Sequence, residues 1–108
     1  MAERSPSWIA ELRVVFVHPD GRRASGRIAV GQPYTLDGGE AECPIEIGGL
    51  HERLHPIIGD GTLQALLLGV RFAGSRLNDF VSRGGRVVDP EDGSDIDLTV
   101  LFAPQFAR

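Results

Sequence analysis

Residues 51–55 read His-Glu-Arg-Leu-His, a literal H-E-x-x-H. On a helix, two histidines four apart stand on one face and share one zinc ion, and the glutamate between them polarises the metal-bound water. That arrangement would make a small zinc-dependent hydrolase, with His51 and His55 as ligands and Glu52 as base. The surroundings argue against it. Pro56 follows His55 directly and Gly48-Gly49 stands just upstream, so a helix here has barely two turns. The extended pattern with a third histidine fails, because Gly59 comes one place late and no further His follows. A third ligand would fall to Asp60, Asp79 or an acidic loop residue. The simpler expectation is a set of solvent-facing polar residues on a short helical turn.

Three other groups invite chemistry and have plainer readings. Asp89, Glu91, Asp92, Asp95 and Asp97 crowd one stretch and are the right ligands for calcium. Counting back from Gly93 as the sixth loop position, however, puts Val88 first and Pro90 third, where carboxylates belong. A hairpin turn built from Asp, Pro and Gly accounts for the same residues. Cys43 is the only cysteine and sits in the inward phase of an expected strand, where a lone thiol is a small buried hydrophobe rather than a nucleophile. Gly59 and Gly61 precede a helix as in a phosphate loop, but position 64 is Gln rather than a third glycine, and Asp60 would repel a phosphate. Trp8 and Tyr34, near strand ends, are read as packing residues.

Charge and composition narrow the classes further. The 108 residues carry a net charge of −4, against the cationic footprint a nucleic-acid binder needs. All eleven basic residues are arginine, so Schiff-base chemistry and a phosphate-loop lysine are excluded. One cysteine permits no intrachain disulfide and fits a reducing cytoplasm. The longest apolar run, residues 65–70, is far short of the ~18 residues of a membrane helix, and the first seven residues read as a polar tail rather than a signal peptide. No cofactor, membrane or nucleic acid is expected.

The elements that must position these groups follow from periodicity. Trp8 to Val17 and Arg22 to Val30 read as two strands of a hairpin around His18-Pro19-Asp20-Gly21, with Ala24, Gly26, Ile28 and Val30 on one face and Arg23, Ser25 and Arg27 on the other. Ala41 to Ile47 reads as a third strand, with Cys43, Ile45 and Ile47 inward, Glu42 and Glu46 outward, and Pro44 marking an edge or bulge. Asp60 is a fitting N-cap for one long amphipathic helix, about 61–82, whose Leu63, Leu66, Leu67 and Val70 recur at helical spacing. Arg86 to Val88 and Ile96 to Phe102 complete the order βββ-α-ββ. The expected fold is α+β: a single-domain, two-layer sandwich with the helix on a mainly antiparallel sheet. Leu66, Leu67 and Val70 are expected to face Ile28, Ile45, Leu98 and Val100. Val15, Val17 and Leu101 are expected on the outer sheet face, among Arg13, Arg27 and other charges.

Four strings occur in order along the chain: Trp8-Ile9-Ala10-Glu11, Gly31-Gln32-Pro33-Tyr34, Cys43 to Leu50, and Gly61 to Leu66. In these the chain resembles a family of small bacterial proteins known only as a domain of unknown function, over about residues 8–102. The motifs are strand ends, a turn and a helix start. The resemblance implies a compact bacterial cytoplasmic domain and no activity.

The functional expectation is a non-enzymatic protein-interaction or accessory module that binds another protein or itself as a homodimer. Its interface would include Val15, Val17, Leu101, Arg13 and Arg27. The alternative is the zinc hydrolase built on His51, Glu52 and His55.

Overall fold

A computed structural model of the chain describes residues 5–51 and 53–102. It is an α+β fold with the order β1 (Trp8–Val17), β2 (Arg23–Gly31), β3 (Tyr34–Thr35), β4 (Ala41–Cys43), β5 (Ile45–Gly48), β6 (Ile57–Gly59), α1 (Thr62–Ser82), β7 (Arg86–Val88), α2 (Leu98–Phe102). Of the expected N-terminal tail, residues 1–4 lie outside the described residues, whereas the Ser7 carbonyl accepts the Gln32 N–H at 2.7 Å.

The β1–β2 hairpin forms where its turn chemistry dictates. Gly21 N–H donates to the His18 carbonyl at 2.8 Å, and the Asp20 carboxylate accepts the Arg22 N–H at 2.9 Å. Cross-strand partners share a face. Leu12–Ile28, Val14–Gly26 and Phe16–Ala24 therefore point toward the helix, while Glu11–Ala29, Arg13–Arg27, Val15–Ser25 and Val17–Arg23 point away. The alternation expected along β2 is the observed one.

The third expected strand is two strands. Pro44 has no N–H to give to a ladder, so the pairing changes partners there. Before it, β4 joins the three-stranded sheet β3-β4-β6; after it, β5 joins the four-stranded sheet β5-β2-β1-β7. The Pro44 carbonyl accepts the Gly31 N–H at 2.8 Å, which ties the break to the end of β2. Cys43, Ile45 and Ile47 are all buried, so the inward phase runs unchanged through the break.

The long helix lies where its pattern predicts, but two details differ. Asp60 does not cap it. Gly61 holds the capping position with no side-chain hydrogen bond, and instead the Gln64 side chain accepts the Asp60 N–H at 2.6 Å. The buried face is also not the leucine face. Ala65, Gly69, Ala73, Gly74 and Leu77 are buried, while Leu63 and Leu67 are 68% and 59% exposed and Leu66 and Val70 are half-buried. At 65, 69 and 73 the stripe is made of small side chains, which let the helix axis come close to the strands, and Leu77 continues it. At Gly69 an added Cβ would stand 3.0 Å from Ile45 Cδ1 and 3.2 Å from Cys43 Sγ. Large aliphatic side chains cannot occupy that close contact, so Leu63, Leu66 and Leu67 fall on its flanks.

The last expected strand, Ile96 to Phe102, is instead a turn and the short helix α2. Thr99 N–H and Val100 N–H both donate to the Asp97 carboxylate, at 3.0 and 3.2 Å, so Asp97 acts as an N-cap and competes successfully with strand alternation. Leu98 and Val100 therefore do not face the sheet from a neighbouring strand, and Val100 is 72% exposed. Phe102 packs against α1 at Gly74.

Because Leu77 is fully buried in the main core cluster and Leu67 is outside it, truncation should separate them. Leu77→Ala is expected to cost about 2–5 kcal/mol of unfolding free energy, and Leu67→Ala less than about 0.5 kcal/mol, as at other exposed positions. Denaturant unfolding of the two variants measures the difference, and equal losses would show that the helix turns the leucine face inward.

Candidate functional site

None of the described residues of the H-E-x-x-H segment is helical. Residues 50 and 51 close a turn after β5, with Leu50 and His51 N–H groups both donating to the Ile47 carbonyl, and residues 53–56 run irregularly into β6. Glu52 lies outside the described residues. The i, i+4 spacing therefore does not place His51 and His55 on one helix face. His51 is half-buried within electrostatic reach of Arg76 and Asp79 on α1, whereas His55 is exposed at the rim of a cleft beside β5. Among the described residues, no three His, Cys, Asp or Glu side chains stand close enough to hold a metal ion. The carboxylates of the 89–97 turn do local work: Asp89 accepts the Glu91 and Asp92 N–H groups, Asp92 accepts from Ser94, and Asp95 pairs with Arg86 at 2.9 Å. Cys43 is fully buried, its thiol donates to the Gly31 carbonyl at 3.4 Å, and burial pushes its pKa up, so it stays protonated. Gly61 is the N-cap of α1 in place of Asp60, and the Gln64 side chain accepts the Asp60 N–H.

The outer face of the four-stranded sheet is organised by Arg27. Its guanidinium bonds Glu46 on β5 and Glu11 on β1, the latter at 3.1 Å, and lies 5.3 Å from the centroid of the Trp8 ring. The two carboxylates, Glu46 before Glu11, hold Arg27 above its ordinary pKa. Arg13, directly across from Arg27, has no ion pair among the described residues. Val15 and Val17 stand on this face as their register requires, but Val17 is 9% exposed, flanked by Arg23 and Arg86. Leu101 belongs to α2 rather than to the sheet. The three aliphatic side chains therefore do not form one patch.

A cleft of about 480 Å³ borders the same network at Trp8 and Glu46. Trp8 and Tyr34, the only Trp and Tyr in the chain, both line it, so they are not simply packing residues. Pro44 and Ile45 border it where the sheets part, and Pro6 and Pro56 also line it. Its polar groups divide in two. Glu46 is bound by Arg27, and the Tyr34 hydroxyl donates to Glu42. Arg53 and His55 have no hydrogen bond or ion pair among the described residues and face the cleft. A smaller depression of about 200 Å³, which includes Gln32 and Pro33, shares Pro6 and Tyr34 with the cleft. The sequence signal for this site was the pairing of both unique aromatics with nearby prolines, Pro6 with Trp8 and Pro33 with Tyr34.

Set against known proteins, the chain matches no protein-family model, no curated protein and no solved structure. Among the described residues, no helix is long and apolar enough to cross a membrane.

Two measurements test these assignments. Burial first, and then the Arg76 charge, hold His51 below its ordinary pKa of about 6.5, with Asp79 opposing. A group with a lowered folded pKa takes up its proton more readily in the unfolded chain. Its contribution to stability is therefore complete above about pH 6.5 and declines as the pH falls from there toward the folded pKa. His51→Gln should flatten the fall in melting temperature between about pH 7 and pH 5; an unchanged slope would assign the effect to another group. Zinc added to the metal-free chain should leave its melting temperature nearly unchanged, whereas a large rise abolished in the His51→Ala/His55→Ala double variant would establish a zinc site.

Proposed function

We propose that this chain is a non-enzymatic interaction module that binds a second protein chain, another protein or a copy of itself, through the cleft between β1, β3 and β5. The observation that carries the reading is the lining of that cleft. Both unique aromatic residues and a set of prolines converge there, and Trp8 remains 37% exposed. Tryptophan and tyrosine combine a large apolar surface with a polar tip, and they dominate the binding energy of protein interfaces. An exposed indole held in place by a neighbouring arginine is ready to make contact without reorganisation.

The polar groups support binding rather than reaction. General acid–base catalysis needs a titratable pair within hydrogen-bond reach of a reacting group. The carboxylate at the cleft is bound by Arg27, the phenol is bound by Glu42, and the buried thiol of Cys43 points to a backbone carbonyl. Arg53 and His55 are the two groups left to meet a ligand, and both suit recognition of polar or anionic partners.

Selection of a random peptide display library on the immobilised native chain tests this, together with sedimentation velocity up to high micromolar concentration. The expected result is an enriched sequence consensus, or a reversible dimer, that is lost in Trp8→Ala while the circular dichroism spectrum is unchanged. A chain that stays monomeric and enriches nothing overturns the reading.

A further inference from the structure

The cleft has a neighbour: it shares Pro6 and Tyr34 with the smaller depression bordered by Gln32 and Pro33. Two open depressions side by side form a groove that suits a length of chain better than a compact small molecule. Four of the chain's seven prolines, at positions 6, 33, 44 and 56, line one or other part of it, with Trp8 and Tyr34 between them.

Flat rings of this kind pack against the ridged surface of a polyproline II helix, which has three residues per turn and no internal hydrogen bonds. The match is also favourable in entropy. Proline side chains on both sides have almost no rotamer freedom to lose, and a proline-containing segment is extended before it binds. Prolines carry no N–H, so such a segment brings few backbone donors that would need partners in an apolar groove.

Charge orients the segment. The larger depression is lined by Arg53 and His55, while its described carboxylate, Glu46, is already bonded to Arg27 and its phenol, Tyr34, to Glu42. Among the described residues, Arg53 and His55 are not engaged by any internal acceptor, so both are available as donors. The smaller depression, lined by Ser5, Ser7 and Gln32 with Pro6, Pro33 and Tyr34, carries no charged side chain. On this basis, and resting on the interaction reading above, we propose that the groove binds an extended, proline-containing segment of a partner protein, with an acidic side chain of that segment placed against Arg53 and His55.

The native chain supplies its own reporter, because Trp8 is the only tryptophan. The probes are synthetic peptides of about ten residues, spanning about 30 Å as polyproline II, with alternate prolines and two glutamates at either the first or the last end. Controls replace the glutamates with lysines, or the prolines with glycine and serine. One glutamate–proline peptide is expected to change Trp8 emission saturably, its lysine counterpart to bind about tenfold more weakly, and its glycine–serine counterpart not to bind. Arg53→Glu should reverse the preference for glutamate over lysine, and Trp8→Ala, followed by calorimetry, should abolish binding while keeping the native circular dichroism spectrum. Equal binding of the glutamate and lysine peptides, equal binding of the glycine–serine peptide, or binding undiminished in Trp8→Ala overturns the proposal. If display selection enriches a different peptide class through Trp8 and none of these probes binds, this proposal falls while the interaction reading stands.

Discussion

The close approach of α1 to the strands around Pro44 governs the architecture of the chain. Gly69 sits over Cys43 on one side of the break and Ile45 on the other, within the reach of a single methyl group. A helix can lie across the seam of two sheets only if its contact line is thin. Ala65, Gly69 and Ala73 keep it so, and Leu77 fills the space further along, where the helix meets Phe16 and Val87 in the same core cluster. The same geometry explains Gly59: a Cβ there would run into the backbone of Ala65 as β6 passes under the start of α1. Small residues in this chain carry the contact that leucines carry in most amphipathic helices.

Pro44 has consequences on both surfaces. Inward, it redirects the chain so that one continuous apolar alternation serves two sheets. Outward, it opens the seam that becomes the cleft, with Pro44 and Ile45 along its border. The hub at Arg27 links that cleft to the sheet. Arg27 reaches Glu46 on one neighbouring strand and Glu11 on the other, and it covers the Trp8 ring. One planar cation thus satisfies two carboxylates that would otherwise compete for ligands and steadies an exposed aromatic. Lysine, a single point donor, could not make the same set of contacts.

The tight β1–β2 turn, the face of every residue on β2, the inward phase of Cys43, Ile45 and Ile47, and the span of α1 all follow from local rules. Turn residues fix backbone angles, and strand and helix periods sort side chains without reference to distant partners. Asp97 shows where two local rules conflict. The alternation of Ile96, Leu98, Val100 and Phe102 favours a strand, and a carboxylate that can cap two backbone N–H groups favours a helix; the neighbours that each option could pair with decide the outcome. The H-E-x-x-H string shows a motif without its element, since zinc spacing has meaning only on a helix and residues 53–56 are not helical.

What the amino-acid order determined by itself is the α+β class, the β1–β2 hairpin, the span of α1 and the inward phase of the strand residues, because these depend on interactions between residues near in sequence. What only the tertiary structure decided is which stripe of α1 turns inward, that Pro44 divides two sheets, and that Trp8, Tyr34, Arg53 and His55 meet at one groove. Those outcomes depend on how closely a helix can approach a seam and on which strand ends the folded chain brings together. Both are set by packing between residues far apart in sequence, which no local period can encode.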